Sequence, residues 1–236
     1  MDRVWTWFQA NKKQIAWGFG AIVVVGVGLS YYSWKKIDIE HAAADALSLV
    51  EAQRALSREA HSESAEAYVK IATEHAGTKA AARALLQAGG ANFVQGKYPE
   101  AQAQFLKFLA DYPDSPLRAQ AMFGIAACLD ALAKPDEAAA AYKNVVDRHA
   151  GESVLPSAKF ALARIYESQG KLDQAVKLYE ELTRGEASGS IGNEAGLKAE
   201  ELRAKLPAPA TPPLSTSPTA VPQLLSAPSA PKPTPP

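Results

Sequence analysis

Hydrophobic positions along this chain return with a period of 37 residues. In the last three periods an alanine precedes an aromatic residue by four positions, the spacing of one helix face. A fixed period between 20 and 50 residues is typical of arrays whose units bury their apolar faces against one another. The sequence therefore predicts an all-α repeat domain. The aromatic positions are Tyr68, Phe105, Tyr142 and Tyr179, and the alanines are Ala101, Ala138 and Ala175.

Small residues followed by lysine recur between the helical patterns, at Gly96-Lys97, Ala133-Lys134 and Gly170-Lys171. We interpret them as the turns within helical hairpins, while Gly and Pro further on end each second helix. The first unit is degenerate, because Glu59-Ala60-His61 stands where the others have a small residue and lysine. The predicted repeat domain spans residues 41–206, with units at about 45–77, 82–114, 119–151 and 156–185 and a closing helix at 193–206.

Residues 15–34 form an uncharged stretch of twenty residues that predicts a transmembrane helix. At about 1.5 Å rise per residue it matches the roughly 30 Å hydrocarbon layer of a membrane. Lysine pairs flank it on both sides, and aromatic residues lie at its ends, as in the aromatic belts at membrane interfaces. We predict a single-pass anchor preceded by a cytoplasmic N-terminal segment, residues 1–14.

A cleaved signal peptide is the alternative interpretation of this stretch, since Ala42, Ala43 and Ala44 offer small residues for cleavage. However, the apolar run exceeds the usual 7–15 residues, and charged residues intervene before the alanines. An uncleaved anchor fits the pattern better.

Positive charges lie in slight excess before the span, with Arg3, Lys12 and Lys13 against Lys35 and Lys36 close after it. The positive-inside rule then places the N-terminus in the cytoplasm. We expect a protein of the bacterial inner (cytoplasmic) membrane whose repeat domain is periplasmic or otherwise extracytoplasmic.

Composition separates the C-terminal end from the rest. The 25 Lys and Arg residues balance 25 Asp and Glu residues, so no excess of charge points to nucleic acid. Residues 207–236 hold 11 of the 16 prolines and a single charge, Lys232. Such a segment cannot build a core, and we predict a disordered or polyproline-like tail. A solubilising spacer and a docking segment both remain open for it.

Residues with catalytic or metal-binding chemistry fall into structural positions of the repeat. His75 and His149 share one column at helix ends, where histidine favours the helix dipole, and neither His41 nor His61 has partners at zinc spacing. Cys128 lies in a first-helix column of small apolar residues, without a base to activate it. We predict no metal site, no cofactor and no enzymatic activity.

The small-Lys-x-x-x-Ala turns, the aromatic residue four positions after the alanine and Pro113 at a unit end resemble tetratricopeptide repeats. The run Tyr112-Pro113-Asp114-Ser115-Pro116 resembles an envelope-associated branch of that family in bacteria. With the N-terminal anchor, residues 1–206 look like the membrane-anchored members that include an ancillary subunit of the Sec translocon. The resemblance implies a right-handed α-solenoid of about four hairpins that contacts translocating or newly exported proteins.

By the same resemblance, the first helix of each hairpin lines a concave groove. Three columns would face it: Leu86, Phe123 and Phe160; Gly90, Ala127 and Arg164; Phe93, Asp130 and Glu167. The first column is wholly apolar, so we predict an apolar wall for extended protein segments, with a polar edge at Asp130, Arg164 and Glu167. Packing of the same residues against a neighbouring helix or a second copy is the alternative.

We therefore expect a non-catalytic, membrane-anchored scaffold that binds protein partners or clients during protein export or envelope assembly. The Sec translocon and exported chains are the partners that the resemblance implies. The alternative is a structural organiser that assembles with itself or with cell-wall or division machinery and holds no client, and a homo-oligomer is open in either case.

Overall fold

A computed structural model describes residues 12–56, 61–149, 151, 153–186 and 189–206 of the chain. Every regular element in those ranges is helical, which confirms the predicted all-α class for them. The helices are α1 Lys12–Leu56, α2 His61–Glu74, α3 Lys79–Val94, α4 Tyr98–Asp111, α5 Arg118–Ala131, α6 Pro135–Arg148, α7 Leu155–Ser168, α8 Leu172–Glu181 and α9 Ser190–Lys205, with a π-helical turn at Leu182–Glu186.

The prediction of a transmembrane anchor at residues 15–34 is wrong. Those residues belong to α1, one helix of 45 residues that continues to Leu56. Among the described residues, no helix has both the length and the apolar character needed to cross a membrane.

The predictions that depended on the anchor are corrected with it. The single-pass topology, the inner-membrane localisation with the N-terminus inside, and the periplasmic placement of the repeats all required a membrane-spanning helix. Three other predicted features lie outside the described part of the chain: residues 1–11 of the N-terminal segment, the turn around Glu59-Ala60, and the tail 207–236.

The predicted turns lie between α3 and α4, between α5 and α6, and between α7 and α8. Their small residues, Gly96, Ala133 and Gly170, have positive φ angles of 74°, 57° and 73°. In the first turn, Gly96 N–H donates to the Phe93 carbonyl over 3.0 Å and Lys97 N–H to the Asn92 carbonyl over 2.9 Å. These paired bonds satisfy the last carbonyls of α3 and end it. The interpretation as hairpin turns is confirmed.

The aromatic column forms the centre of the core. Tyr68, Phe105, Tyr142 and Tyr179 are all buried, and each takes part in one of three apolar clusters that follow one another along the array. Neighbouring helices supply the rest of each cluster, so no hairpin buries its own apolar face alone.

Phe105 occupies a slot between two neighbouring hairpins. A Cβ atom at Gly89 of α3 would lie 2.5 Å from its ring, and one at Gly124 of α5 would lie 2.6 Å from it. A side chain at either position would force the Phe105 ring or one of the helices to move. Glycine at both positions therefore leaves the ring its place.

The C-terminal part of α1 packs on α2 and α3, with Ala43 and Leu47 buried in the first cluster. Its Glu40 carboxylate accepts the Lys79 N–H at 2.9 and 3.1 Å, at the first residue of α3. A carboxylate there accepts a hydrogen bond from a backbone N–H that has no partner within the helix, and it complements the positive end of the helix dipole. Thr78, the N-cap, accepts the Ala81 N–H over 3.0 Å.

At the other end, α9 closes the described array on α7 and α8. Its buried residues are Ala195, Ala199 and Leu202, whereas Leu197 is 71% exposed. Its contact face therefore consists of two small alanines and Leu202.

Candidate functional site

The first helices of successive hairpins form one wall. Helix α3 contacts α5, and α7 contacts α9. Between α5 and α7, an ion pair joins Asp130 and Arg164, and apolar residues of both helices belong to one core cluster. All of the groove residues predicted from the sequence lie on α3, α5 and α7.

The four large apolar residues of that set are half-buried. Three of them are phenylalanines that pack on a ring of the following helix, with centroid distances of 5.3, 5.6 and 5.4 Å in the pairs Phe93–Tyr98, Phe123–Tyr142 and Phe160–Tyr179. One side of each ring is therefore held inside its own hairpin, which leaves the other side partly accessible. Leu86 packs against the first core cluster.

Each polar residue of the set has a polar partner. Beyond the Asp130–Arg164 pair, Glu167 accepts a hydrogen bond from Lys198 of α9 over 3.2 Å and one from the Tyr179 hydroxyl over 3.3 Å. Phe160, Arg164 and Glu167 line one cavity of about 300 Å³. No described contact brings Leu86 or Phe93 to that cavity, so the predicted site is a row rather than a single pocket.

Burial controls the protonation of the two tyrosines behind this wall. The pKa of Tyr142 is raised mainly by burial and further by the nearby Asp130 carboxylate, while Arg164 lowers it. The pKa of Tyr179 is raised by burial and then by Glu167. Its bond to Glu167 raises the pKa of Lys198 in turn. Both phenols stay protonated at neutral pH, as hydrogen-bond donors or packing rings.

Two features of the site escaped the sequence prediction. Lys198 and Glu194 line the cavity from α9, a helix that showed no aromatic or glycine signature to place it in register. Lys159 is only 6% exposed and pairs with Glu181 over 3.0 Å, although Leu85 and Met122 hold the same register position. The sequence indicated this buried pair only by placing a lysine at a register position that is apolar in the two preceding units.

The other candidate residues have structural surroundings. Cys128 is fully buried, and burial raises the pKa of its thiol to about 11, which disfavours the reactive thiolate. This confirms its prediction as a small core residue. His149 caps the end of α6 through its backbone N–H. Within the described ranges, no three His, Cys, Asp or Glu side chains are grouped to hold a metal ion.

A second cavity, of about 500 Å³, lies between two interhelical turns. Its walls come from residues 77–83 and residues 111–117, which the Tyr112 hydroxyl links by accepting the Gly77 N–H over 3.0 Å. Arg118 donates to the Pro113 carbonyl over 3.3 Å beside it. Its lining of Tyr, Pro and Leu is chiefly apolar, and it lies apart from the predicted wall.

The helical hairpins share a 37-residue register and bury an aromatic column, as in a repeat array. Sequence comparison shows to which repeat family the chain belongs. Residues 5–141 match the tetratricopeptide repeat-like domain, and residues 129–190 match the tetratricopeptide repeat. The chain belongs to the tetratricopeptide repeat-like family. Domains of this family generally mediate protein–protein interaction or scaffolding and are typically non-catalytic.

Solved tetratricopeptide repeat structures resemble the chain. A putative kinesin light chain with TPR-like repeats from Podosopora anserina is 16% identical, with 71% of this chain and 84% of that one covered at a TM-score of 0.49. The MamA protein is 17% identical, with 71% and 87% covered and a TM-score of 0.48. The pilF protein of Pseudomonas aeruginosa is 17% identical, with 72% and 100% covered and a TM-score of 0.45. No curated protein sequence matches the chain.

Proposed function

We propose that this tetratricopeptide repeat domain is a scaffold that holds extended apolar segments of partner proteins along the wall of α3, α5 and α7. The observation that carries the proposal is a half-buried phenylalanine ring on each successive first helix, with Phe123 and Phe160 in one register position and Phe93 two turns further along its own helix. Rings on successive helices suit the apolar side chains of an extended segment.

The polar contacts of the wall support the same type of ligand. Arg164 is already paired with Asp130, and Lys198 with Glu167 and Glu201. A ligand that relied on a carboxylate would have to break these pairs, whereas apolar side chains can contact the rings without doing so. Unfolded or newly exported chains present such segments. Export clients, including those of a Sec translocon, are therefore our finer proposal, supported by the envelope-type run Tyr112 to Pro116.

The test places a charge on the wall without removing a packed ring. Phe123 is unsuitable because it packs on Tyr142, so its loss would disturb the hairpin. Ala127 is half-buried on α5 in the same register position as Arg164 of α7, which shows that the position accommodates arginine. We expect Ala127→Arg to weaken binding of fluorescent apolar 12-residue peptides by about tenfold or more, measured by anisotropy.

Ala140→Arg is the matched control, because Ala140 is exposed on α6, away from the wall. It should bind the peptides like the parent, and both variants should keep the parent melting temperature. Equal peptide binding by the parent and Ala127→Arg would refute the wall as the binding surface. A structural organiser instead predicts no peptide binding by any of the three proteins.

A further inference from the structure

The cavity at the C-terminal end of the wall has the size of one side chain. Its volume is about 300 Å³, at the lower limit for ligand pockets, and its lining comes from α7, α8 and α9. Helix α9 contacts α7 as α5 contacts α3, so it continues the wall past the last helix that carries a phenylalanine. A segment held along the wall therefore reaches this cavity with a single residue.

Phe160 supplies the accessible apolar surface of the cavity. Its half-buried ring packs against Tyr179 in a T-shaped arrangement, with the ring centroids 5.4 Å apart. Tyr179 also lines the cavity but is fully buried, so Phe160 is the ring that a ligand contacts. An aromatic ring attracts both the methylene stem and the cationic group of a lysine or arginine side chain.

The cations that line the cavity are already paired. Arg164 pairs with Asp130, and Lys198 pairs with Glu167 over 3.2 Å. Glu194 is exposed, and in the ranges that the structure describes it forms no ion pair. A bound carboxylate would therefore have to compete for a paired cation beside a like charge, whereas a bound cation would meet an unpaired carboxylate.

The charge of Glu194 reaches the Tyr179 hydroxyl. Burial does most to raise the pKa of Tyr179, Glu167 adds to the rise through its charge and its hydrogen bond, and the charge of Glu194 also raises it, while Arg164 lowers it. Two carboxylates thus lie near one hydroxyl group at the same cavity. Of the two, Glu167 has a cationic partner and Glu194 is the one left to bind another.

We propose that this cavity binds one lysine or arginine side chain of the partner segment, whose stem packs on Phe160 and whose cationic group lies beside Glu194. The partner is then an extended segment with a basic residue at one end of an apolar run. This inference rests on the proposed binding of extended segments to the wall, and it adds the interaction that fixes the position of the segment.

The spacing of the helices sets the distance between the basic residue and the apolar run. Phe123 and Phe160 hold one register position on neighbouring first helices. Packed helices lie about 10 Å apart, and an extended chain advances about 3.3 Å per residue. The apolar side chain that contacts Phe123 should therefore lie about three residues from the basic residue in the cavity.

Three fluorescent peptides test the proposal on the full chain. They share one apolar sequence and differ at one position, three residues from the first large apolar side chain, where they carry lysine, glutamine or glutamate. Two sets, with that position near either end, cover both directions of the segment. We expect the lysine peptide of one set to bind about fivefold more tightly than its glutamine counterpart, and the glutamate peptide no more tightly than glutamine. Anisotropy at low salt, where exposed charges are screened least, measures the affinities.

Glu194→Gln and Glu200→Gln are the matched variants. Both remove one negative charge from an exposed position of α9, but only Glu194 lines the cavity. Glu194→Gln should reduce the preference for lysine to less than about twofold, while Glu200→Gln should keep it. Neither carboxylate has an ion-pair partner among the described residues, so both variants should keep the parent melting temperature.

Binding of the glutamine peptide to the parent separates this inference from the wall itself. If that peptide binds but lysine brings no gain, or if both variants lose the preference equally, the cavity does not select a basic residue while the wall still binds segments. Tighter binding of the glutamate peptide would likewise overturn the inference. If the parent binds none of the peptides, the wall is wrong and the inference fails with it.

Discussion

At the scale of single residues, the column at Phe105 shows how one position is fitted to its neighbours. Tyr142 and Tyr179 occupy the same column, and Ala126 and Ala163 stand where Gly89 stands beside Phe105. The Phe105 ring lies within 3 Å of where a Cβ atom would be at Gly89 and at Gly124, on both flanking helices. The aromatic residue therefore recurs at the same position in each unit, while the small residues that contact the ring differ from unit to unit.

The two adjacent glycines of α3 give a matched test of this slot. Gly89→Ala would place a methyl group 2.5 Å from Phe105, so we expect a loss of about 1–3 kcal/mol in the free energy of unfolding. Gly90 has nothing within 4 Å of its Cβ position, so Gly90→Ala should stabilise the helix by up to about 1 kcal/mol. Urea denaturation of both variants measures the difference. Equal stabilities would mean that the slot is not tight.

At the scale of helices, Glu40 ties α1 to the array by capping α3. Glu40→Ala removes the acceptor of the Lys79 N–H, and we expect a loss of about 0.5–1 kcal/mol in the free energy of unfolding. Glu51→Ala, an exposed change on the same helix, should have a smaller effect. Urea denaturation at low and high salt measures both. If the two variants lose the same amount, the carboxylate does not act as a cap.

The hairpins were predictable from sequence because turn chemistry and helical periodicity repeat there. Gly96, Ala133 and Gly170 mark local turns that need little more than their own residues to form. The groove residues were assigned to α3, α5 and α7 for the same reason. Their partners were harder to foresee, because the contact of Glu167 with Lys198 joins residues 31 positions apart in a helix outside the register.

The extent of α1 was not predictable from the same signals. The uncharged run ends at Lys35, and no glycine or proline follows before Leu56, so nothing local marks where one helix would stop and another begin. Hydropathy divides this region into an apolar part and an amphipathic part that look like two helices. The backbone instead forms one continuous helix of 45 residues through both parts. The buried Lys159–Glu181 pair is a second case, since apolar periodicity places a lysine on the surface by default.

At the scale of the whole molecule, the buried titratable groups predict alkaline sensitivity. Burial raises the pKa of Cys128 from 9.0 to about 11, and it raises the pKa of Tyr142 and Tyr179 above 10.0. Above pH 9 the unfolded chain has released protons that the folded chain still holds, so stability falls as pH rises. The contribution of Cys128, on the order of 2 kcal/mol, is complete below pH 9 and lost by about pH 11.

Urea denaturation between pH 7 and 11 measures this decline. Cys128→Ala removes one of the groups, so its stability should decline less steeply than the parent's between pH 9 and 11, whatever its stability at pH 7. The tyrosines should still cause a decline above pH 10 in both proteins. Parallel curves for the parent and Cys128→Ala would show that the thiol titrates alike in the folded and unfolded chain.

The contacts between helices run chiefly from each helix to the next one or two along the chain, from α1 and α2 through to α8 and α9. Folding therefore closes only short loops, which favours rapid folding. Any hairpin can serve as the nucleus, after which its neighbours add in either direction. Because no main contact joins the two ends of the described array, a gene that gained or lost one 37-residue unit would still encode a chain able to fold.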